Sequence, residues 1–449
     1  MRGQKPLNLD QALKELKDLI YAIHKAPASD DPLRATPIEE PSFYFSISPY
    51  GGVELTNEDF RKYRRILDAL CAITSRTVIS RKAIDKKLQA VILKTIDINA
   101  REVERSIEKR RKSFFRELQD YISPASLRSG TIHIRVAGLD ASALPMSFGG
   151  ITFRVFNHTV LEEHKRQYEN LETREEYKKL YRTLIKEDVE DKLMGDIIAI
   201  VPAIATDNEA RVLQALVKLG TVVDAMNFYS DILHHPGWAR VAIFSNNTTL
   251  EPIFGLVDPA SYSYNPRRVG PQEEFSIKQL LEGRGKEVGS NRLDTLLQEA
   301  NPNSLSERII AAIRWSGRAT VTEKLEEAFL LYAIALESLI MEKGKTDQVV
   351  QRLTTRGAAI LSLKAEDTKN NRKELSYLYG IRSRIAHEGS FEVSDADLRV
   401  MRNYTKEIIY RVMAKEPFVS MQNEEELFAW FGVNAPIPDS SIGSDPLGQ

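Results

Sequence analysis

The chain has 449 residues, 42% of them hydrophobic and 28% charged, with a net charge of -1. That composition belongs to globular proteins with material for more than one core, and it excludes both a disordered chain and a globally basic nucleic-acid binder. Any polyanion-binding surface must therefore be local. A single cysteine, Cys71, excludes an internal disulfide framework and a multi-cysteine zinc site. The N-terminus, Met1-Arg-Gly-Gln-Lys-Pro6, has no apolar signal core, and the most apolar run, Ile197 to Ala205, is too short to span a bilayer. A cytoplasmic protein without a membrane contact is expected.

An amphipathic helix is predicted over residues 8–26, with Leu13, Leu16, Ile20 and Ile23 on one face. Phe43, Phe45 and Ile47 alternate in a strand that ends at a Pro49-Tyr-Gly-Gly52 turn. A charge-dense helical region follows from Asn57 to Ile122, with a break expected near Asp97–Asn99. It contains Lys109, Arg110, Arg111 and Lys112 beside Phe114 and Phe115. Basic residues interleaved with aromatics suit an RNA-contacting face. The competing and favoured reading is a solvated helix face balanced by Glu102, Glu104, Glu108 and Glu117. Residues 1–130 thus form a mainly helical region with one short strand.

After the breaker Pro124–Gly130, alternation at Ile132, Ile134, Val136 and again at Ile151, Phe153, Val155 predicts strands. A polar helix is expected over Leu161–Leu193, then a strand over Ile197–Val201 and a helix over Asn208–Tyr229 with Val212, Leu216, Leu219 and Val223 aligned. Trp238–Phe244 closes an α+β module, 131–258, built on a small mixed sheet. Residues 259–303 are rich in Pro and Gly and include Gly283-Arg-Gly-Lys-Glu-Val-Gly289. They match neither the dinucleotide nor the P-loop pattern and read as a linker.

Five helices then fit into 304–416. Capping boxes are expected at Ser304/Glu307 and Thr320/Glu323, and Ser394 with Asp397 starts the last helix. Short connections favour an up-and-down bundle. The tail, 417–449, has one amphipathic piece around Leu427–Phe431 and is otherwise of disordered composition. The fold class is α+β and multidomain. His234-His235 lack a third ligand placed by the sequence and read as a loop before Pro236-Gly237, so no metal and no cofactor is assigned.

The stretch with a chemical use is Tyr377–Gly389. As a helix it carries Leu375, Leu378, Tyr379, Ile385 and Ala386 in one apolar stripe, with Arg382 inside that stripe and His387 five positions on. A guanidinium on a buried face needs a partner. The spacing alone decides nothing, since Arg128 and His133 repeat it at a predicted strand. The structural reading pairs Arg382 with Glu337 of a neighbouring helix and leaves His387 at a helix end, complementing its dipole.

The context is more specific. Arg382-Ser-Arg-Ile-Ala-His387 after Leu378-Tyr379, with Ala335-Leu336-Glu337-Ser-Leu339 upstream and Ile309-Ile-Ala-Ala-Ile-Arg-Trp315 opening the bundle, resembles the HEPN family (higher eukaryotes and prokaryotes nucleotide-binding), in its ApeA-like branch. The resemblance implies a metal-independent endoribonuclease acting as a homodimer, a regulated toxin or anti-phage effector restrained by an inhibitor or released by a phage-derived trigger. It implies Arg382 and His387 as catalytic residues; beside them Glu337, Ser383 and Tyr379 are expected in support and Arg384 on the RNA. Two positions depart from the family pattern: Ser383, where many members carry Asn, Asp or His, and Glu388, where glycine often follows the histidine. They support the alternative of a non-catalytic RNA- or nucleotide-binding protein.

Overall fold

The computed structural model describes residues 43–48, 51–55, 57–73, 79–96, 127–169, 193–233, 239–243, 254–258, 261–264, 273–299, 302–342, 348–362, 365–388 and 392–436, with most of 11–19 and single positions at 116, 120–121 and 344. In chain order the elements are β1 (Phe43–Ser48), β2 (Gly51–Leu55), α1 (Asn57–Ile73), α2 (Arg81–Ile96), β3 (Arg128–Ala137), β4 (Met146–Phe148), β5 (Ile151–Val155), α3 (His158–Glu169), β6 (Ile197–Ala205), α4 (Asn208–Leu233), β7 (Ala242–Ile243), β8 (Phe254–Asp258) and β9 (Ser261–Tyr264). Helices follow: α5 (Ile277–Glu282), α6 (Arg284–Glu287), α7 (Ser290–Gln298), α8 (Ser304–Val321), α9 (Leu325–Ile340), α10 (Val349–Leu361), α11 (Ala365–Glu388), α12 (Asp395–Ala414) and α13 (Glu424–Asn434). The fold is a mostly helical α+β one. Two compact units emerge, residues 1–132 with 202–217, and residues 133–201 with 218–449.

In the first unit, α1 and α2 bury Tyr63, Ile66, Leu70, Cys71, Ile84 and Leu88 with Leu16 and Leu19. Cys71 is core, as its apolar neighbours require. Ser80 caps α2, its hydroxyl accepting from Ala83 N at 3.0 Å. The helical region is therefore interrupted once before Arg81; the break expected near Asp97–Asn99 lies outside the described residues, just past the end of α2 at Ile96. The glycines expected to form a turn belong to a second strand, β2, which pairs antiparallel with β1. Lys109, Arg110, Arg111 and Lys112 lie outside the described residues, as do Leu13, Ile20, Ile23, His234 and His235.

The second unit holds a five-stranded antiparallel sheet in the order β4-β5-β6-β3-β7, where the sequence suggested a mixed one. Its β4–β5 hairpin turns at Gly149 and Gly150, both at positive φ. Phe148, Ile151, Phe153 and Ala199 are fully buried, the alternation of half-buried strands. β3 begins at Arg128, so the breaker segment is shorter than its composition suggests and the Arg128/His133 pair sits on one strand.

The stretch 259–303 is no bare linker. It carries β9 and the helices α5 to α7, and Gly283–Gly289, read as a loop, includes the short helix α6. Hydrogen bonds to the sheet region and within the stretch itself fix its path. Phe275 exchanges backbone hydrogen bonds with Gly138 (2.8 Å) and Asp140 (3.0 Å). Asp294 accepts from Gly149 N at 2.6 Å. Ser290 donates to Leu280 O at 2.6 Å.

Helices α8 to α12 form a run of packed helices, α8 on α9, α9 on α12 and α10 on α11. The caps differ in detail. α8 is capped by Asn303, which accepts from Ser306 N at 2.8 Å, one residue before the expected Ser304. Thr320 opens no helix; it lies inside α8, and its hydroxyl bonds Ser316 O and the Tyr332 hydroxyl. Ser394 does cap α12, accepting from Asp397 N at 3.1 Å. The bundle also takes in more than five helices. The second half of α4 is buried from Val222 to Ser230, whereas Val212 and Leu216, expected on the same stripe, stay exposed. α13 adds Leu427 and Phe431 to the core.

Candidate functional site

Helix α11 builds the site. Leu375, Leu378, Tyr379, Ile381 and Ile385 are buried, and Arg382 sits among them on the bundle side. Ala386, assigned to the stripe by spacing, is exposed together with His387 and Glu388. The last turn of the helix therefore extends beyond the packed part.

The partner of the stripe arginine is Glu337 on α9. Arg382 Nε lies 3.1 Å from Glu337 Oε1, and Nη2 is 3.5 Å from Oε2. The same carboxylate accepts the Tyr379 hydroxyl at 2.9 Å. Tyr379 is buried, so desolvation raises its pKa, and the adjacent Glu337 charge raises it further. A neutral phenol donating to a carboxylate that also holds a guanidinium makes a three-member network spanning α9 and α11. The pair is not sealed: the Arg382 and Glu337 side chains remain 31% and 26% exposed. Only the Nη2 group hydrogen-bonds Glu337, while Nε lies beside the carboxylate without a hydrogen bond, which leaves donors for a further anion.

His387 is placed differently. Five positions along a helix turn a side chain by about 140° and advance it by about 7.5 Å. Arg382 is drawn toward α9, while His387 lies on the outward face with Arg384 and the half-buried Ser383. Within one chain the helix brings Glu337, Tyr379 and Arg382 together, and separately His387, Ser383 and Arg384. The two clusters do not converge.

Other charges in the bundle have structural partners. Lys406, buried, donates to Phe228 O at 2.8 Å and to Asp231 at 3.0 Å, with Arg402 3.7 Å from the same carboxylate. Desolvation lowers the Lys406 pKa, and Asp231 opposes the shift. Arg308 and Arg356 cap the carbonyl end of α9. Arg308 donates to Ser338 O and Met341 O, and Arg356 to Ile340 O. Arg356 also pairs with Glu342, Arg308 pairs with Glu424, and both guanidiniums lie over Phe428. Cations at a helix C-terminus are favourably placed. These buried arginines and Lys406 were not found from the sequence. Each sits in an ordinary helical pattern, and its counter-charge is remote: 116 residues separate Arg308 from Glu424, and 175 separate Lys406 from Asp231.

Among the described residues no group of three or more His, Cys, Asp or Glu side chains could hold a metal ion, and no helix is long and apolar enough to cross a membrane. In comparisons with protein-family models, curated proteins and solved structures, nothing matched the chain.

Proposed function

We propose that the chain is a metal-independent endoribonuclease of HEPN type. It acts as a homodimer through its C-terminal helices and serves as a regulated toxin or anti-phage effector. The observation that carries the reading is the Tyr379–Glu337–Arg382 network. It orients a guanidinium that keeps exposed donors on the helix that presents an exposed histidine. In the proposed reaction the ribose 2′-oxygen loses its proton to a base and attacks phosphorus. The P–O5′ bond breaks, and the departing O5′ takes a proton from an acid. A 2′,3′-cyclic phosphate and a free 5′-hydroxyl result. His387 is the proton carrier, since imidazole both takes and gives a proton near neutral pH. Arg382 holds the phosphate oxygens and offsets the charge that builds on them, a task suited to a forked, permanently charged donor. Glu337 and Tyr379 position Arg382 and take no proton. A nuclease of cellular RNA needs restraint, and the N-terminal regions are the proposed place for an inhibitor or a phage-derived trigger to act.

The test is to incubate purified protein with total RNA in EDTA and to map the new ends. Cyclic phosphate ends are expected, along with loss of cutting by at least a hundredfold in Arg382→Ala and in His387→Ala, the scale of a lost proton carrier. Undiminished cutting by both variants refutes the assignment. A second reading, an RNA- or nucleotide-binding protein without catalysis, is favoured by the pairing of Arg382 with Glu337 and by its divergence from His387. Retention of RNA without any new ends after long incubation decides for it.

A further inference from the structure

Apart from Arg384, expected on the RNA, nothing in the nuclease reading uses the outward face of α11 upstream of His387. Lys369, Lys373, Gly380, Arg384 and His387 follow at four, seven, four and three positions. All five are exposed. At 100° per residue they fall within an arc of about 60°, in a line about 27 Å long. Lys369 and Lys373 make no ion pair with any described residue. In the middle of the line, a side chain added at Gly380 would meet nothing within 4 Å, so a ligand backbone can approach the helix there. Tyr377 stands at the edge of the arc with 56% of its surface exposed.

Two acidic residues flank the line, Glu366 three positions before Lys369 and Glu388 four positions after Arg384, and the remaining ones are engaged elsewhere or turned away. Glu374 is taken up by the Tyr404 hydroxyl at 2.5 Å, and Asp397 serves the cap of α12 and the Tyr377 hydroxyl. Asp367 and Glu374 leave α11 more than about 100° from the centre of the arc, and Glu388 about 70° from it.

We propose that this face is a track for single-stranded RNA, running from Lys369 past Gly380 to His387. Cations in a line complement successive phosphates, and an exposed tyrosine beside them offers a stacking platform for a base. That combination is how single strands are held without sequence preference. An A-form duplex presents its bases internally and offers Tyr377 none. The track rests on the ribonuclease reading for the identity of its ligand, and it extends that reading from the scissile phosphate to the strand leading to it.

Fluorescence anisotropy with a fully 2′-O-methylated single strand of about 12 nucleotides, a length suited to such grooves, tests the track apart from cleavage, because this probe has no free 2′-hydroxyl to attack. Each phosphate contact contributes about 0.7 to the dependence of log K on log salt for single strands. Lys369→Gln/Lys373→Gln is expected to reduce the slope by about 1.4, and Lys278→Gln, an exposed lysine elsewhere, to leave it unchanged. Tyr377→Ala should weaken binding about tenfold, and Tyr377→Phe should not. Circular dichroism of each variant confirms that these exposed substitutions leave the fold intact. If the double variant binds with the wild-type slope and affinity, the track is wrong, even where unmethylated RNA is still cut in a His387-dependent way. If the slope falls as stated while unmethylated RNA stays whole, the track stands and the nuclease reading fails.

Discussion

At the scale of single residues, Tyr379 shows how an inward arginine is made tolerable. Its hydroxyl donates to Glu337, so the carboxylate meets both a neutral donor and a cation at the edge of the core. A buried hydrogen bond to a charged acceptor contributes more than a neutral one. Tyr379→Phe is therefore expected to lower the unfolding free energy by about 2 kcal/mol, read as a lower urea midpoint at unchanged slope. A wild-type midpoint would mean that Glu337 finds an equivalent donor elsewhere. The inward position of Arg382 was legible in the sequence, because three- and four-residue spacing alone places it among Leu375, Leu378 and Tyr379. Ala386 shows the limit of that argument. Spacing assigns a face, but only neighbouring helices decide where along the helix burial stops, and Ala386, His387 and Glu388 at the end of α11 are exposed. Asn303 shows another limit, since Asn, Ser and Thr all cap helices well and adjacent candidates compete.

Whole elements were legible where their period was strong. α8 to α12 and the strands β3, β5 and β6 follow from apolar spacing, whereas the three-residue β4 is too short to show a period. The stretch 277–298 was not read as helical, because its helices are short and punctuated by Gly283, Gly285 and Gly289, which dominate any composition-based reading. Its order comes from tertiary partners such as Phe275, which no local pattern contains. The burial of the second half of α4 in the bundle was equally hidden, and its closest approach is marked by Gly317. A Cβ built there would lie 1.8 Å from the backbone oxygen of Asp224. Since α4 backbone cannot yield as a flexible side chain does, Gly317→Ala must move one helix off the other. Asp224, which accepts from Arg318 Nε at 3.0 Å, would shift with it. Overpacking of this kind costs about 1–3 kcal/mol, and a backbone clash belongs at the upper end. Thermal unfolding of Gly317→Ala should show a clear fall in Tm. An unchanged Tm would mean that α4 and α8 separate at no cost, and the close packing assigned to them would be wrong.

At the scale of the molecule, the geometry of α11 constrains what an active assembly can be. Arg382 is drawn to α9 and His387 faces outward, about 140° around the helix. In the proposed nuclease one phosphodiester must meet both groups, so the arginine of one copy has to act with the histidine of another. A two-fold assembly supplies this naturally, because each copy then gives the same patch to its partner and two composite sites result. The consequence can be tested by mixing inactive variants. In an equimolar, re-equilibrated mixture of Arg382→Ala and His387→Ala chains, half of the dimers are mixed. Each mixed dimer has one site with both groups intact and one with neither. Activity should return to about a quarter of the wild-type level. If each site instead draws both groups from a single chain, every site in the mixture lacks one of them and no activity returns. That result would overturn the shared site even while each single variant behaved as a catalytic mutant. A monomer at concentrations where RNA is cut would overturn it as well. The same experiment separates the two roles still open for Arg382. An arginine that only satisfies Glu337 has nothing to lend a partner, whereas one whose exposed donors reach a phosphate does.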